Sequence, residues 1–142
     1  MSKNLLLFSL IAGLGVGGCA APQRILTTGC DSQNNCSVAV NVTNCIVTVE
    51  PETLSVPPPR QVAKKITWEL NASSDYMFAP NGIEITNPDG EFDGSNLHGN
   101  GKKFKWNDKH TKAGDYKYSV SVYKTGDDPK ACPKYDPLIS NQ

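Results

Sequence analysis

Residues 115–123, DYKYSVSVY, alternate without a fault: Tyr116, Tyr118, Val120 and Val122 against Lys117, Ser119 and Ser121. Successive side chains of a strand point to opposite faces, so this pattern buries one face and wets the other. The same period recurs at 64–71, where Ile66, Trp68 and Leu70 read as inward and Thr67 and Glu69 as outward. It recurs at 82–86, through Ile83 and Ile85, and at 102–106, through Phe104 and Trp106 against Lys103 and Lys105. Val38, Val40 and Val42 begin an earlier row; Cys45, Val47 and Val49 continue it after a change of parity at Thr43-Asn44 that marks a bulge or a break between strands. Leu54 and Val56 follow Pro51, and Pro57-Pro58-Pro59 then ends sheet pairing, because proline donates no ladder hydrogen bond. No ten-residue window of the mature chain shows a convincing period of 3.6. These short strands, separated by turn residues such as Asn87-Pro88-Asp89-Gly90, predict an all-β domain, an antiparallel Greek-key β-sandwich of about seven strands. A chain of 142 residues holds one such core.

The N-terminus belongs to a different kind of segment. Lys3 precedes an apolar run at 5–16, LLLFSLIAGLGV, shorter than the roughly 20 residues that span a bilayer. Val16-Gly17-Gly18-Cys19 resembles the lipobox of bacterial lipoproteins. The resemblance implies a signal peptide at 1–18, a diacylglycerol on the sulfur of Cys19, cleavage after Gly18 and acylation of the new amine by a fatty acid such as palmitate. An ordinary secretory signal with an incidental cysteine, or an ordinary apolar core segment, is the competing reading. Ala20 stands where an Asp favours inner-membrane retention in lipoprotein sorting, so the resemblance implies an outer-membrane anchor, facing the periplasm or the surface. Residues 19–35 have no period and read as a lipidated tether, and 36–142 as the β-sandwich.

Cysteine parity agrees with a lipid on Cys19. Of five cysteines, Cys30, Cys36, Cys45 and Cys132 remain, an even set that an oxidising compartment pairs into two disulfides. Three connectivities are open. Cys30–Cys36 closing the polar loop DSQNN, with Cys45–Cys132 joining an early strand to the C-terminal region, is the favoured one.

The run at 47–70, VTVEPETLSV through ITWEL, resembles the opening of the cupredoxins, in which a strand crosses between sheets at a proline and a later strand carries a core Trp. AGDYKYSVSVY at 113–123 is similar to their penultimate strand, and DPLISN at 136–141 has the place of the last one. The resemblance implies a cupredoxin-like sandwich, with an immunoglobulin-like one as the alternative. A blue-copper site needs two imidazoles, a thiolate and a weak axial ligand. No His lies between Trp68 and Leu97, none follows Cys132, and His98 and His110 sit at positions that do not match. No metal and no cofactor are therefore expected.

Other chemistry is sparse. Asp89-x-Glu91-x-Asp93-Gly94 opens like a calcium loop, yet the position where a bidentate Glu would close the cage is Asn100, and Phe92 between the acids reads as a core anchor. No nucleophile elbow or phosphate loop is present, so no enzyme is expected. Lys+Arg and Asp+Glu both number 14, and a zero net charge gives no field to recruit nucleic acid. What remains is binding of a protein or cell-envelope partner. Candidate contacts are Tyr76, Met77, Phe78 and His98 in expected loops at 71–81 and 87–101. Lys103, Lys105 and Lys117 add a basic outward face on what read as neighbouring strands, suited to an anionic surface. An inhibitor or immunity protein that blocks a hydrolase with an inserted loop is the alternative, and a metal or electron carrier a third.

Overall fold

The computed structural model describes residues 29–71, 75–126 and 128–142; the predicted signal peptide, the lipidation site Cys19 and most of the predicted tether lie outside them. The described chain is all β, in two sheets packed face to face. Its strands are β1 (Gly29–Cys30), β2 (Asn35–Thr43), β3 (Ile46–Glu50), β4 (Thr53–Val56), β5 (Lys64–Leu70), β6 (Tyr76–Ile85), β7 (Phe92–His98), β8 (Lys103–Asp108), β9 (Gly114–Lys124), β10 (Lys130–Ala131) and β11 (Leu138–Asn141). The six-stranded sheet runs β1-β2-β5-β8-β7, with β3 also on β2; the five-stranded sheet runs β10-β9-β11-β4, with β6 also on β9.

The alternation at 64–71 and 115–123 is realised as β5 and β9, in opposite sheets. Trp68 and Tyr118 are both sealed from solvent, and their rings meet edge to face at 5.2 Å. Phe78 on β6 meets Phe104 on β8 at 6.1 Å, and Phe92 on β7 meets Tyr116 on β9 at 4.9 Å. Each pair takes one ring from each sheet, and each contributes about 0.5–1.5 kcal/mol beyond the area it buries. Val38, Val40, Leu54, Ile66, Leu70, Ile83, Val120, Val122 and Ile139 fill the space between. Trp106, expected wholly inside, is only half-buried and donates its indole N–H to the carbonyl of Ile83 at 3.1 Å.

The parity change at Thr43-Asn44 is a two-residue hairpin turn. Asn44 and Cys45 have φ of 51° and 63°, and Thr43 pairs with Ile46 across them. Positive φ at both central residues gives the twist that matches the flanking strands. Past Pro51 the chain changes sheets, since β3 pairs with β2 and β4 with β11.

Three expectations are corrected. The sheets are mixed: β2 runs parallel to β5, and β4 parallel to β11. A period of two reports which face is buried and nothing about strand direction, so the alternation could not separate the two cases. The sandwich begins before Cys36, because β1 lies on β2 with Gly29 opposite Ser37. The two expected loops are largely strand. Tyr76 to Ile85 form β6, broken where the register shifts between Phe78 and Ile83, and Phe92 to His98 form the edge strand β7. In the β6 bulge a Cβ on Gly82 would lie 2.7 Å from the Cβ of Phe78, so only glycine fits.

The disulfides are Cys30–Cys36, within the six-stranded sheet, and Cys45–Cys132, between the β2–β3 turn and the segment after β9. The second therefore joins the two sheets at one end. There the Tyr76 hydroxyl oxygen accepts the Cys45 backbone N–H at 3.1 Å.

Candidate functional site: the outer face of the six-stranded sheet

Residues directly opposite in a ladder share a face. Glu69 stands opposite Lys103, and Lys103 opposite His98; Thr67 stands opposite Lys105, and Lys105 opposite Asn96. Trp68 and Phe104, between these rows, point into the core. Three candidate contacts, His98, Lys103 and Lys105, thus share the outer face of β7 and β8. Ala39 and Ser37 on β2 continue the rows beyond β5.

The charges on this face are mixed. Lys103 pairs with Glu69 at 3.0 Å and Asp93 with Lys109 at 3.5 Å, half-exposed contacts of the kind that contribute about 0–1 kcal/mol each. Among the described residues Lys105 has no ion pair. Burial first, then the positive charges of Lys105 and Lys103, push the His98 imidazole below its ordinary 6.5, with Glu69 opposing. The ring is therefore neutral at pH 7, and its buried Nε2 has no hydrogen-bond partner among the described residues. His98 thus sets an imidazole beside Lys103 and within the field of Lys105.

The other candidates lie elsewhere. Tyr76 and Phe78 are core residues of β6, 9% and 1% exposed, and are not free to contact a partner. Met77, between them, faces the other way and is half-buried on the outside of the five-stranded sheet, where the Tyr123 hydroxyl donates to its sulfur at 3.4 Å. Lys117 is on β9, so it lies on the opposite side of the sandwich from Lys103 and Lys105. The expected shared basic face fails because β8 and β9, consecutive in sequence, belong to different sheets.

No protein-family model matches the chain, and no curated protein matches it significantly.

The polar interior was not foreseen. His110 is fully buried, and its Nδ1 lies 3.2 Å from the Pro59 carbonyl, to which it donates. Asp108 is also sealed; its Oδ1 accepts from the His110 N–H at 2.8 Å and from the Asn141 amide at 3.2 Å. Burial pushes the Asp108 carboxyl above its ordinary 3.8 despite these bonds. Glu91, in the calcium-like run, is 1% exposed and accepts from the Thr111 N–H, the Thr111 hydroxyl at 2.6 Å and the Lys112 N–H at 3.1 Å. It clamps the turn after β8 to the start of β7. Among the described residues no three His, Cys, Asp or Glu side chains gather in a metal-ligand cluster. Parity was the available signal: Asp108 falls in step with Phe104 and Trp106, and Lys64 with Ile66, Trp68 and Leu70. Both point inward.

Proposed function

We propose that the protein is a non-catalytic, lipid-anchored envelope protein whose β-sandwich, similar in outline to the cupredoxins, binds a protein or envelope partner through the outer face of β7 and β8. The observation that carries the binding reading is the convergence of His98, Lys103 and Lys105 on one accessible face, with Lys105 lacking an ion pair among the described residues. The balance of lysines and acids on that face suits a polar partner of mixed charge better than a bulk anionic surface. The lipobox-like Val16-Gly17-Gly18-Cys19 supports the anchor, and two disulfides support an oxidising compartment. Gly29 already pairs in the sheet, so a tether after Cys19 holds at most residues 20–28 and reaches no more than about 30 Å at roughly 3.3–3.6 Å per residue. The domain then works close to the membrane.

Burial removes Tyr76 and Phe78 from the partner contacts, and no observation of its own favours the loop-insertion reading. The metal-carrier reading loses its thiolate, since Cys132 is disulfide-bonded. The test is crosslinking of the full-length protein in its own envelope. The double variant Lys103→Glu with Lys105→Glu should lose the crosslinked partner, and Lys117→Glu, on the opposite face, should keep it. The reverse pattern, or retention by both, overturns the proposal. Palmitate labelling that survives Cys19→Ser would separately overturn the anchor.

A further inference from the structure

Lys64 is a buried cation without a carboxylate. It lies in step with the core row of β5 and is 4% exposed. Asp108 is its register partner on β8 and is likewise buried, yet no ion pair joins them. Asp108 turns to His110 and Asn141, and the Lys64 amine instead donates to Oδ1 of Asn34 at 2.6 Å. An ammonium has three N–H donors, and one amide acceptor satisfies one of them. Removing an ammonium from water without a counter-charge is costly, so an anion that reaches this group is favoured there.

A cavity of about 270 Å3 opens beside it, lined by Gln33, Asn34, Asn35, Ala63, Lys64, Lys65 and Asn107. Lys64 forms its buried wall and Lys65 an exposed rim, and apart from Ala63 the rest is amide side chains. The turn that supplies three of these amides is fixed in advance. Asp31 accepts from the backbone N–H of Gln33 at 2.8 Å and of Asn35 at 2.9 Å, and from the Asn35 amide at 3.3 Å. Lys65 donates its backbone N–H to the Asn34 carbonyl at 3.0 Å, tying the turn to β5. The volume falls just below the roughly 300–1,000 Å3 of drug-sized sites, which limits the occupant to a small polar molecule.

We propose that this cavity binds the carboxylate or phosphate group of a small polar ligand, with Lys64 as the buried counter-charge, Lys65 at the mouth and the amides of Gln33, Asn34 and Asn107 around it. It adjoins the β7–β8 face at Asn107 but uses none of His98, Lys103 or Lys105, so it neither depends on that reading nor tests it. Asp31 lies on the same turn and opposes an anion, so it sets the sign of one control.

The experiment titrates the purified full-length protein with inorganic phosphate, glucuronate and neutral glucose at matched ionic strength, by calorimetry and by the amide resonances of residues 33–35, 64 and 65. Phosphate or glucuronate should saturate, and which of them does assigns the group; glucose should not. Lys64→Met should weaken binding about ten-fold or more. Asn34→Asp should also abolish it, because the new carboxylate pairs with Lys64, while raising the thermal midpoint, which separates loss of the site from loss of the fold. Asp31→Asn should tighten binding. Failure of both anions to saturate at millimolar concentration, saturation by glucose, or native affinity retained in Lys64→Met or in Asn34→Asp overturns the proposal.

Discussion

The two disulfides should differ in what they contribute, and the difference follows from loop length alone. Cys45–Cys132 closes a separation of 87 residues, and Cys30–Cys36 one of 6. In the chain-entropy model the denatured state loses about 2.1 + 1.5R ln n cal/mol/K when a loop of n residues is closed. At 25 °C that is about 4.6 kcal/mol for the long bridge and about 2.2 kcal/mol for the short one. The long bridge also joins the sheets where the Tyr76 hydroxyl accepts the Cys45 N–H, and Cys132 is 8% exposed, so its loss loosens packing as well. The perturbation is a pair of double variants, Cys45→Ala with Cys132→Ala and Cys30→Ala with Cys36→Ala. The assay is urea unfolding followed by Trp fluorescence, reporting on Trp68 in the core. The first variant should lose roughly twice the stability of the second, with a fall in Tm on the order of 20 °C. Equal losses, or a larger loss for the short bridge, would refute the reasoning.

Phe78→Ala should lower stability by about 3–5 kcal/mol, since a ring 1% exposed in the core leaves a cavity, whereas Met77→Ala, on the outer surface, should cost less than half as much by the same unfolding assay. Glu91 sits below its ordinary 4.5: burial pushes it up, and the Thr111 hydroxyl and the Lys112 and Thr111 N–H groups outweigh that. A depressed carboxyl stabilises fully above about pH 4.5 and loses that contribution as pH falls through its lower folded value. Glu91→Gln should therefore cost about 1–3 kcal/mol at pH 7, and its deficit against the native protein should shrink in acid; a constant deficit in denaturation curves from pH 7 to pH 3 would count against the clamp.

Much of this fold is legible as a period of two. Ile66, Trp68 and Leu70, and Tyr118, Val120 and Val122, were placed inward by alternation and are buried. Alternation did not place strands in sheets, so Lys103 and Lys117 read as neighbours although they lie on opposite sides of the sandwich. Tyr76-Met77-Phe78 read as a loop because the four residues Ala79 to Gly82 loop out opposite the single Ser121, which breaks the period that Ile83 and Ile85 resume. The polar interior was missed for a different reason. A charged residue in an inward position, such as Lys64 or Asp108, contradicts the usual burial preference, and only the partners that satisfy it, Asn34 or His110, explain it. Those partners are distant in sequence or on turns, so no local pattern announces them.

Site-specific photocrosslinking in the native envelope tests the binding claim most directly. A photoreactive residue at Asn96 or Lys105 samples the face of β7 and β8, and one at Ser119 or Ser140 samples the outer face of the opposite sheet. Crosslinks to one partner from Asn96 and Lys105, and none from Ser119 and Ser140, are the predicted result. Crosslinks confined to Ser119 and Ser140, or equal from all four, would contradict it.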